Sequence, residues 1–161
     1  MNSKHHYRME GQKLADQQQR ERHEQLREKL EEAHQLLSKI RTETTPQASH
    51  RMRSTEATLY PEQYQKSHED VRRLLMITDL YFPQLREPVE ALEGLTIHFW
   101  NEYQHVMSLG GAEDPARFKN DRDNALHELS EISREIGPKV LEAKNKLREV
   151  ATVALCRWFV S

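Results

Sequence analysis

Histidines and glutamates at helical spacing are the residues of this chain best suited to chemistry. The 161-residue sequence contains nine histidines, and the pattern Glu-x-x-His occurs twice, as Glu31 with His34 and as Glu102 with His105. Two such pairs on different helices are what a di-iron bundle site uses. Ligands of a bundle site project inward, however, and both pairs lie about 100° around their helices from the apolar seams. We therefore expect both pairs to face solvent.

His98, Glu102 and His105 form the best metal-binding candidate in the sequence. Their i, i+4, i+7 spacing brings three ligand types to one side of a predicted helix. The same spacing of polar residues is typical of any solvated helix face. We therefore expect neither a metal site nor a cofactor, and keep these three residues as the alternative.

No motif for catalysis accompanies these residues. The sequence has no glycine-rich phosphate loop, no Gly-x-Ser-x-Gly elbow and no Cys-x-x-Cys pair. His68 falls on an apolar seam, where a hydrogen-bonded histidine is more common than a ligand or a catalytic base. Cys156 lies among Ala154, Leu155 and Trp158, which predicts a buried, inert thiol. We expect a protein that is not an enzyme.

The composition indicates a thin helical assembly. Apolar residues make up 36% of the chain and charged residues 31%, so little core is available for much surface. The net charge of -2 gives no overall field that attracts nucleic acid or anionic lipid. The single cysteine fits a reducing compartment, and no segment is apolar enough for a signal peptide or a membrane span. We therefore expect a cytoplasmic protein.

The spacing of apolar residues predicts an all-α protein, an elongated bundle of about four helices with coiled-coil-like seams. Residues 1–11 are expected to be a disordered tail, and residues 12–161 a single helical domain with a flexible loop at 42–60. The first seam consists of Leu26, Leu30, Ala33, Leu37 and Ile40, and the second of Tyr64, His68, Val71, Leu75, Thr78 and Phe82.

Proline and glycine predict the later boundaries. Pro83 is expected to end the second helix at a corner where Tyr81, Phe82 and Leu85 pack together. The third helix has apolar residues on two faces, which predicts a central position. The fourth begins at Asp114 and Pro115, a capping side chain ahead of a first-turn proline. Gly137 and Pro138 interrupt it, as a kink within one helix or as a joint between two.

Residues 80–85, with the sequence LYFPQL, follow a leucine-rich polar helix that contains LREKLEEAHQLLSKI. This combination resembles a group of small uncharacterised bacterial all-helical proteins, over residues 20–107. The resemblance implies an all-α fold and a bacterial origin, and no activity. Members of the group often carry an N-terminal membrane helix. This chain differs from them, because its sequence has no segment apolar enough for one.

These patterns together predict a non-enzymatic helical module for protein–protein interaction, a homodimer or a partner of another helical protein. The apolar run VATVALCRWFV near the C-terminus either docks on the protein's own core or offers a surface to a partner. The residues expected at the interface are Leu26, Leu30, Leu37, Trp100, Trp158 and Phe159.

Two alternatives remain open at this point. The first is a metal- or ligand-binding bundle. The second is weak association with nucleic acid through His50, Arg51 and Arg53, or with a membrane surface through the apolar C-terminal run.

Overall fold

The computed structural model describes residues 3–45, 60–109 and 115–159, with residues 3–8, 60, 115, 117–118, 155 and 158–159 as backbone only. Its helices are α1 (Ser3–Glu43), α2 (Tyr60–Tyr81), α3 (Arg86–Ser108) and α4 (Pro115–Phe159), and one turn of 3-10 helix, Pro83–Leu85, joins α2 to α3. No strand occurs within the described ranges. The predicted all-α fold is confirmed.

The four helices form an up-down-up-down bundle. Each helix packs mainly on two neighbours, so that α1 contacts α2 and α4, and α3 contacts the same two helices from the other side. Between α1 and α2, Lys39 pairs with Asp70 and Glu32 with Arg73, an order that makes these helices antiparallel. The expected central position of α3 is therefore wrong. Its two apolar faces meet α2 and α4, as at any corner of a four-helix bundle.

The core is built largely from the predicted seams. The predicted seam of the third helix is buried throughout; it consists of Leu85 in the preceding turn and, within α3, of Val89, Leu92, Thr96, Phe99, Tyr103 and Val106. On the second face of α3, Trp100 is 1% exposed and donates from Nε1 to the hydroxyl of Ser67 on α2 at 2.9 Å. Edge-to-face contacts with Phe99 and Tyr103 complete the surroundings of the indole.

The seam of α2 differs from the predicted one. Leu74 and Ile77 are 0% and 1% exposed, whereas Leu75 is only half-buried. Leu74 lies one turn from Asp70, which pairs with α1, and two turns from Ser67, which bonds to α3. Because it points between both neighbours, it takes the core position that the heptad spacing assigned to Leu75.

The corner between α2 and α3 agrees with the prediction from Pro83. Phe82 and Leu85 are both 0% exposed. The amide of Phe82 still donates to the carbonyl of Thr78 at 3.0 Å, and the amide of Leu85 donates to the carbonyl of Phe82 at 2.9 Å. The chain therefore reverses direction while these two backbone hydrogen bonds are kept and the side chains of Phe82 and Leu85 are buried.

α4 is continuous through Gly137 and Pro138. Proline has no N–H, so the preceding turn of the helix lacks one hydrogen bond. Arg41 on α1 reaches this turn and donates from Nη1 to the carbonyl of Ser133 at 3.0 Å. The carbonyl that Pro138 leaves without a partner is that of Arg134, so the bond from Arg41 holds α1 to α4 beside this point and does not replace the lost bond.

The boundaries of α1 and α2 correct two expectations. α1 begins at Ser3, so the described part of the expected disordered tail, residues 3–11, is helical. This segment has no proline, and Lys4, Arg8, Met9 and Glu10 within it favour helix even without an apolar seam. Of the expected loop at 42–60, residues 42 and 43 belong to α1 and Thr44 is buried, while residues 46–59 lie outside the described part.

Candidate interaction surface

The helices differ nearly twofold in length. α1 and α4 have 41 and 45 residues, whereas α2 and α3 have 22 and 23. At a rise of about 1.5 Å per residue, the long helices extend some 30 Å further than the short ones. The turn Pro83–Leu85 marks where the four-helix cross-section ends. We call residues 3–26 of α1 and 146–159 of α4 the stem.

A groove opens in the stem just beyond this turn. It has a volume of about 490 Å³. The seam of α4 is covered where Val140, Ala143 and Leu147 lie, which are 3%, 0% and 4% exposed. Further along α4, on the groove, Val153 is 55% exposed. The groove, which we call the stem groove, is lined by Leu26, Gln84, Lys146, Glu149, Val150, Val153, Ala154 and Arg157.

Between Met9 and Arg22, α1 has no side chain in the core. Every side chain from Met9 to Arg22 is exposed, and the apolar Met9 and Leu14 are 58% and 59% exposed. An isolated helix of this length is only marginally stable in water, because most helix stability in proteins comes from packing. This segment is therefore a helix without the packing that ordinarily stabilises one.

The two helices of the stem differ in charge balance. Over residues 3–26, α1 has five basic residues and four acidic ones, so its charges nearly cancel. Between Asn145 and Arg157, α4 has three basic residues and one acidic residue. Two of the basic residues of α4, Lys146 and Arg157, line the stem groove itself. The groove thus suits an occupant that leans acidic.

The structure divides the expected interface residues into three groups. Leu26 and Leu30 are half-buried and lie against the core, with Leu26 on the stem groove. Leu37 and Trp100 are 0% and 1% exposed within a single copy, so they belong to its own core and the expectation for them is wrong. The side chains of Trp158 and Phe159 lie outside the described part.

Sequence reasoning missed Val150 and Val153 as surface residues. The sequence does show that the apolar seam of α4 continues to these residues, past the level at which Pro83 ends α2. A seam that is longer than the helices that cover it is exposed at its end. Recognising this requires knowing which residues of α4 lie opposite the corner, and spacing along one helix does not contain that information.

Of the three metal candidates, Glu102 and His105 lie close together, whereas His98 lies beside a residue of another helix. Nδ1 of His105 lies 3.4 Å from the Glu102 carboxylate, and Nε2 of His98 lies 4.0 Å from Glu128 on α4. Within the described ranges, no group of three or more His, Cys, Asp or Glu side chains is placed to hold a metal ion. His34 and Glu31 are exposed, as expected for a pair away from the seam.

Two further expectations are changed by the structure. His68 is half-buried and stacks on Tyr64, with ring centroids 6.1 Å apart and an interplanar angle of 5°. Cys156 is exposed, so the expected buried thiol is wrong. The reason is the same as for Val153, since no helix of the bundle covers this end of α4. The arginines considered for nucleic acid, Arg51 and Arg53, lie outside the described part.

Glu32 links α1 to α2 near the stem. Its carboxylate accepts from Nε of Arg73 at 2.6 Å and from Nζ of Lys29 at 2.7 Å. These hydrogen bonds, chiefly the one from Arg73, lower the pKa of Glu32 to about 2.

At the other end of α1, burial raises the pKa of Glu43. One oxygen of the Glu43 carboxyl is buried without a hydrogen-bond partner among the described residues.

None of the described helices combines the length and the apolar character that crossing a membrane requires. Comparison of the chain with known proteins finds no matching family model, no matching curated protein and no matching solved structure.

Proposed function

We propose that this protein is a non-enzymatic helical interaction module that self-associates through its stem. The observation that carries the proposal is the stem groove, where the seam of α4 continues beyond the helices that cover it. In a four-helix bundle each seam is closed by neighbouring helices. On α4 this seam is open over about two turns, from Val150 to Arg157, which is room for a helix from a partner.

The occupant we propose is the N-terminal half of α1 from a second copy. From Met9 to Arg22 this segment is a helix with exposed side chains, and Leu14 offers an apolar contact, with Met9 about 140° further around the helix. Two-fold symmetry makes the exchange reciprocal, since each copy provides one exposed helical segment and one groove. Burial of the apolar groove contributes about 25 cal/mol per Å² to association.

Charge is compatible with this pairing but does not select it by its total. Residues 9–22 of α1 contain three acidic and three basic residues, and the acidic ones include Asp16 and Glu21, which suit Lys146 and Arg157 along the groove. Opposite charges at the rim of an apolar contact favour the correct partner and orientation more than they add affinity. The rim also contains Glu149, which faces a segment with its own arginines, Arg20 and Arg22.

The assignment to a non-catalytic role rests on the sequence, which lacks the phosphate-loop, nucleophile-elbow and dithiol motifs. We place the module in the cytoplasm because it has one cysteine and thus no possible internal disulfide.

Two substitutions on α4 test the proposal. Val153 and Leu141 are both apolar and are 55% and 54% exposed, but only Val153 lines the stem groove. By light scattering coupled to gel filtration, Val153→Glu should reduce the dimer fraction strongly, because it buries a carboxylate in an apolar contact. Leu141→Glu should leave the dimer unchanged. Equal behaviour of the two variants would contradict the stem as the interface.

A further inference from the structure

A second groove lies on a different side of α4 from the stem groove, where α4 meets α1. Its volume is about 320 Å³. Leu30, Leu147 and Ala151 give it an apolar floor. This volume is at the lower end of the range of about 300–1,000 Å³ that small-molecule sites occupy. We call it the outer groove.

Two cations stand one turn apart on its rim. Nζ of Lys144 donates to the hydroxyl of Ser38 on α1 at 2.8 Å, and that hydroxyl donates to the carbonyl of His34 at 2.9 Å. Nη1 of Arg148 donates to the side-chain oxygen of Asn145 at 3.3 Å. In the described part of the chain neither cation has a carboxylate within ion-pair distance.

This arrangement suits an anion. Like charges at i and i+4 on one helix face repel each other, and an anion between them relieves the repulsion. Lys144 is fixed by Ser38, so the position of its ammonium is set before a ligand arrives. An arginine fork and an ammonium together offer directed, charge-assisted donors to a carboxylate. Glu31 also lines the groove but is exposed, so solvent and salt screen its repulsion.

We propose that the outer groove binds an amphipathic carboxylate of medium chain length. The carboxylate lies between Lys144 and Arg148, and the hydrocarbon chain covers Leu30, Leu147 and Ala151. The apolar floor distinguishes this ligand from a simple inorganic anion, and the paired cations distinguish it from a neutral lipid. The site is separate from the stem groove and does not depend on self-association.

Calorimetric titration of the full chain with decanoate, below the concentration at which decanoate aggregates, tests the proposal. Binding is expected, and the double variant Lys144→Gln/Arg148→Gln should weaken it at least about tenfold, since a tenfold change corresponds to one charge-assisted hydrogen bond. The control Arg134→Gln/Lys139→Gln removes two cations from α4 outside the groove and should leave binding unchanged. Thermal melts establish that both double variants are folded.

Two further ligands and one further variant separate the contribution of the carboxylate charge from that of the hydrocarbon chain. Decanol lacks the charge and acetate lacks the chain, so each should bind at least about tenfold more weakly than decanoate. Ala151→Phe fills the floor and should abolish binding while the melt remains cooperative. Absence of decanoate binding, or equal binding by the two double variants, overturns the proposal. Acetate or phosphate that binds as tightly as decanoate overturns the role of the apolar floor.

Discussion

The guanidinium of Arg41 lies directly over Gly137. A Cβ atom at position 137 would come within 3.1 Å of Cζ and 3.2 Å of Nη2 of Arg41. The same side chain donates to the carbonyl of Ser133 at 3.0 Å, next to the turn that Pro138 deprives of a hydrogen bond. Glycine at 137 therefore makes room for the side chain that holds α1 to α4 beside this proline.

Two glycine substitutions test this relationship. Gly94 lies within α3, and a Cβ there meets nothing within 4 Å. Gly94→Ala should raise the free energy of unfolding by about 0.5–1 kcal/mol, through helix propensity and a less flexible unfolded chain. Gly137→Ala should lower it by about 1 kcal/mol, because displacement of Arg41 outweighs the same gain. Urea denaturation measures both values.

The double variant Arg41→Ala/Gly137→Ala tests whether displacement of Arg41 is the reason that Gly137→Ala destabilises. With Arg41→Ala as background, Gly137→Ala has nothing to displace and should stabilise as Gly94→Ala does. A Gly137→Ala that is destabilising to the same extent in both backgrounds would show that Arg41 is not the reason for glycine at this position.

Phe82 should be among the most costly core positions. It is 0% exposed at the corner before Pro83, and Phe82→Ala should lower the free energy of unfolding by about 3–5 kcal/mol. Leu80, two residues earlier, is 68% exposed, and Leu80→Ala should change it by less than about 0.5 kcal/mol. Similar denaturation midpoints for the two variants would remove Phe82 from the core.

Glu32 should contribute stability that acid removes. Its pKa in the folded protein is about 2, below the ordinary value of 4.5. The contribution is therefore complete above pH 4.5 and is lost as the pH falls toward 2. Glu32→Gln should cost up to about 1 kcal/mol at neutral pH, because the carboxylate is partly solvated, and nothing below pH 2. A cost independent of pH would point to packing instead.

Glu43 should behave in the opposite way. Burial raises its pKa, so the charged carboxyl destabilises the fold at neutral pH. Glu43→Gln should increase the free energy of unfolding at pH 7. The increase should decline through the raised pKa and vanish below 4.5, where the carboxyl is protonated in both states. Urea titrations at several pH values compare the two glutamates, and a loss of stability in Glu43→Gln at pH 7 would contradict the effect of burial.

Much of the fold follows from local patterns. The seams of α1, α3 and α4 and the corner at Phe82 depend on spacing and on proline, which act within a few residues. The register of α2 does not, since Leu74 is buried only because α1 and α3 meet beside it. The extension of α1 to Ser3 likewise escaped prediction, because a polar helix has no periodic signal.

The candidate surface was predictable only in part. Leu26 was expected at an interface and lies on the stem groove. Leu37 and Trp100 have the same apolar character but are covered within one copy. Leu26 differs from Leu37 and Trp100 in its position along the bundle axis relative to the turn at Pro83. This position depends on how the helices are aligned with one another, which the sequence of a single helix does not show.

Analytical ultracentrifugation of the unmodified chain tests self-association most directly. Sedimentation equilibrium over a series of micromolar concentrations should give a mass rising to about twice 19.1 kDa, the mass of one chain. Reciprocal exchange of α1 closes both grooves, so the mass should not rise further. A mass of 19.1 kDa at every concentration would contradict the account.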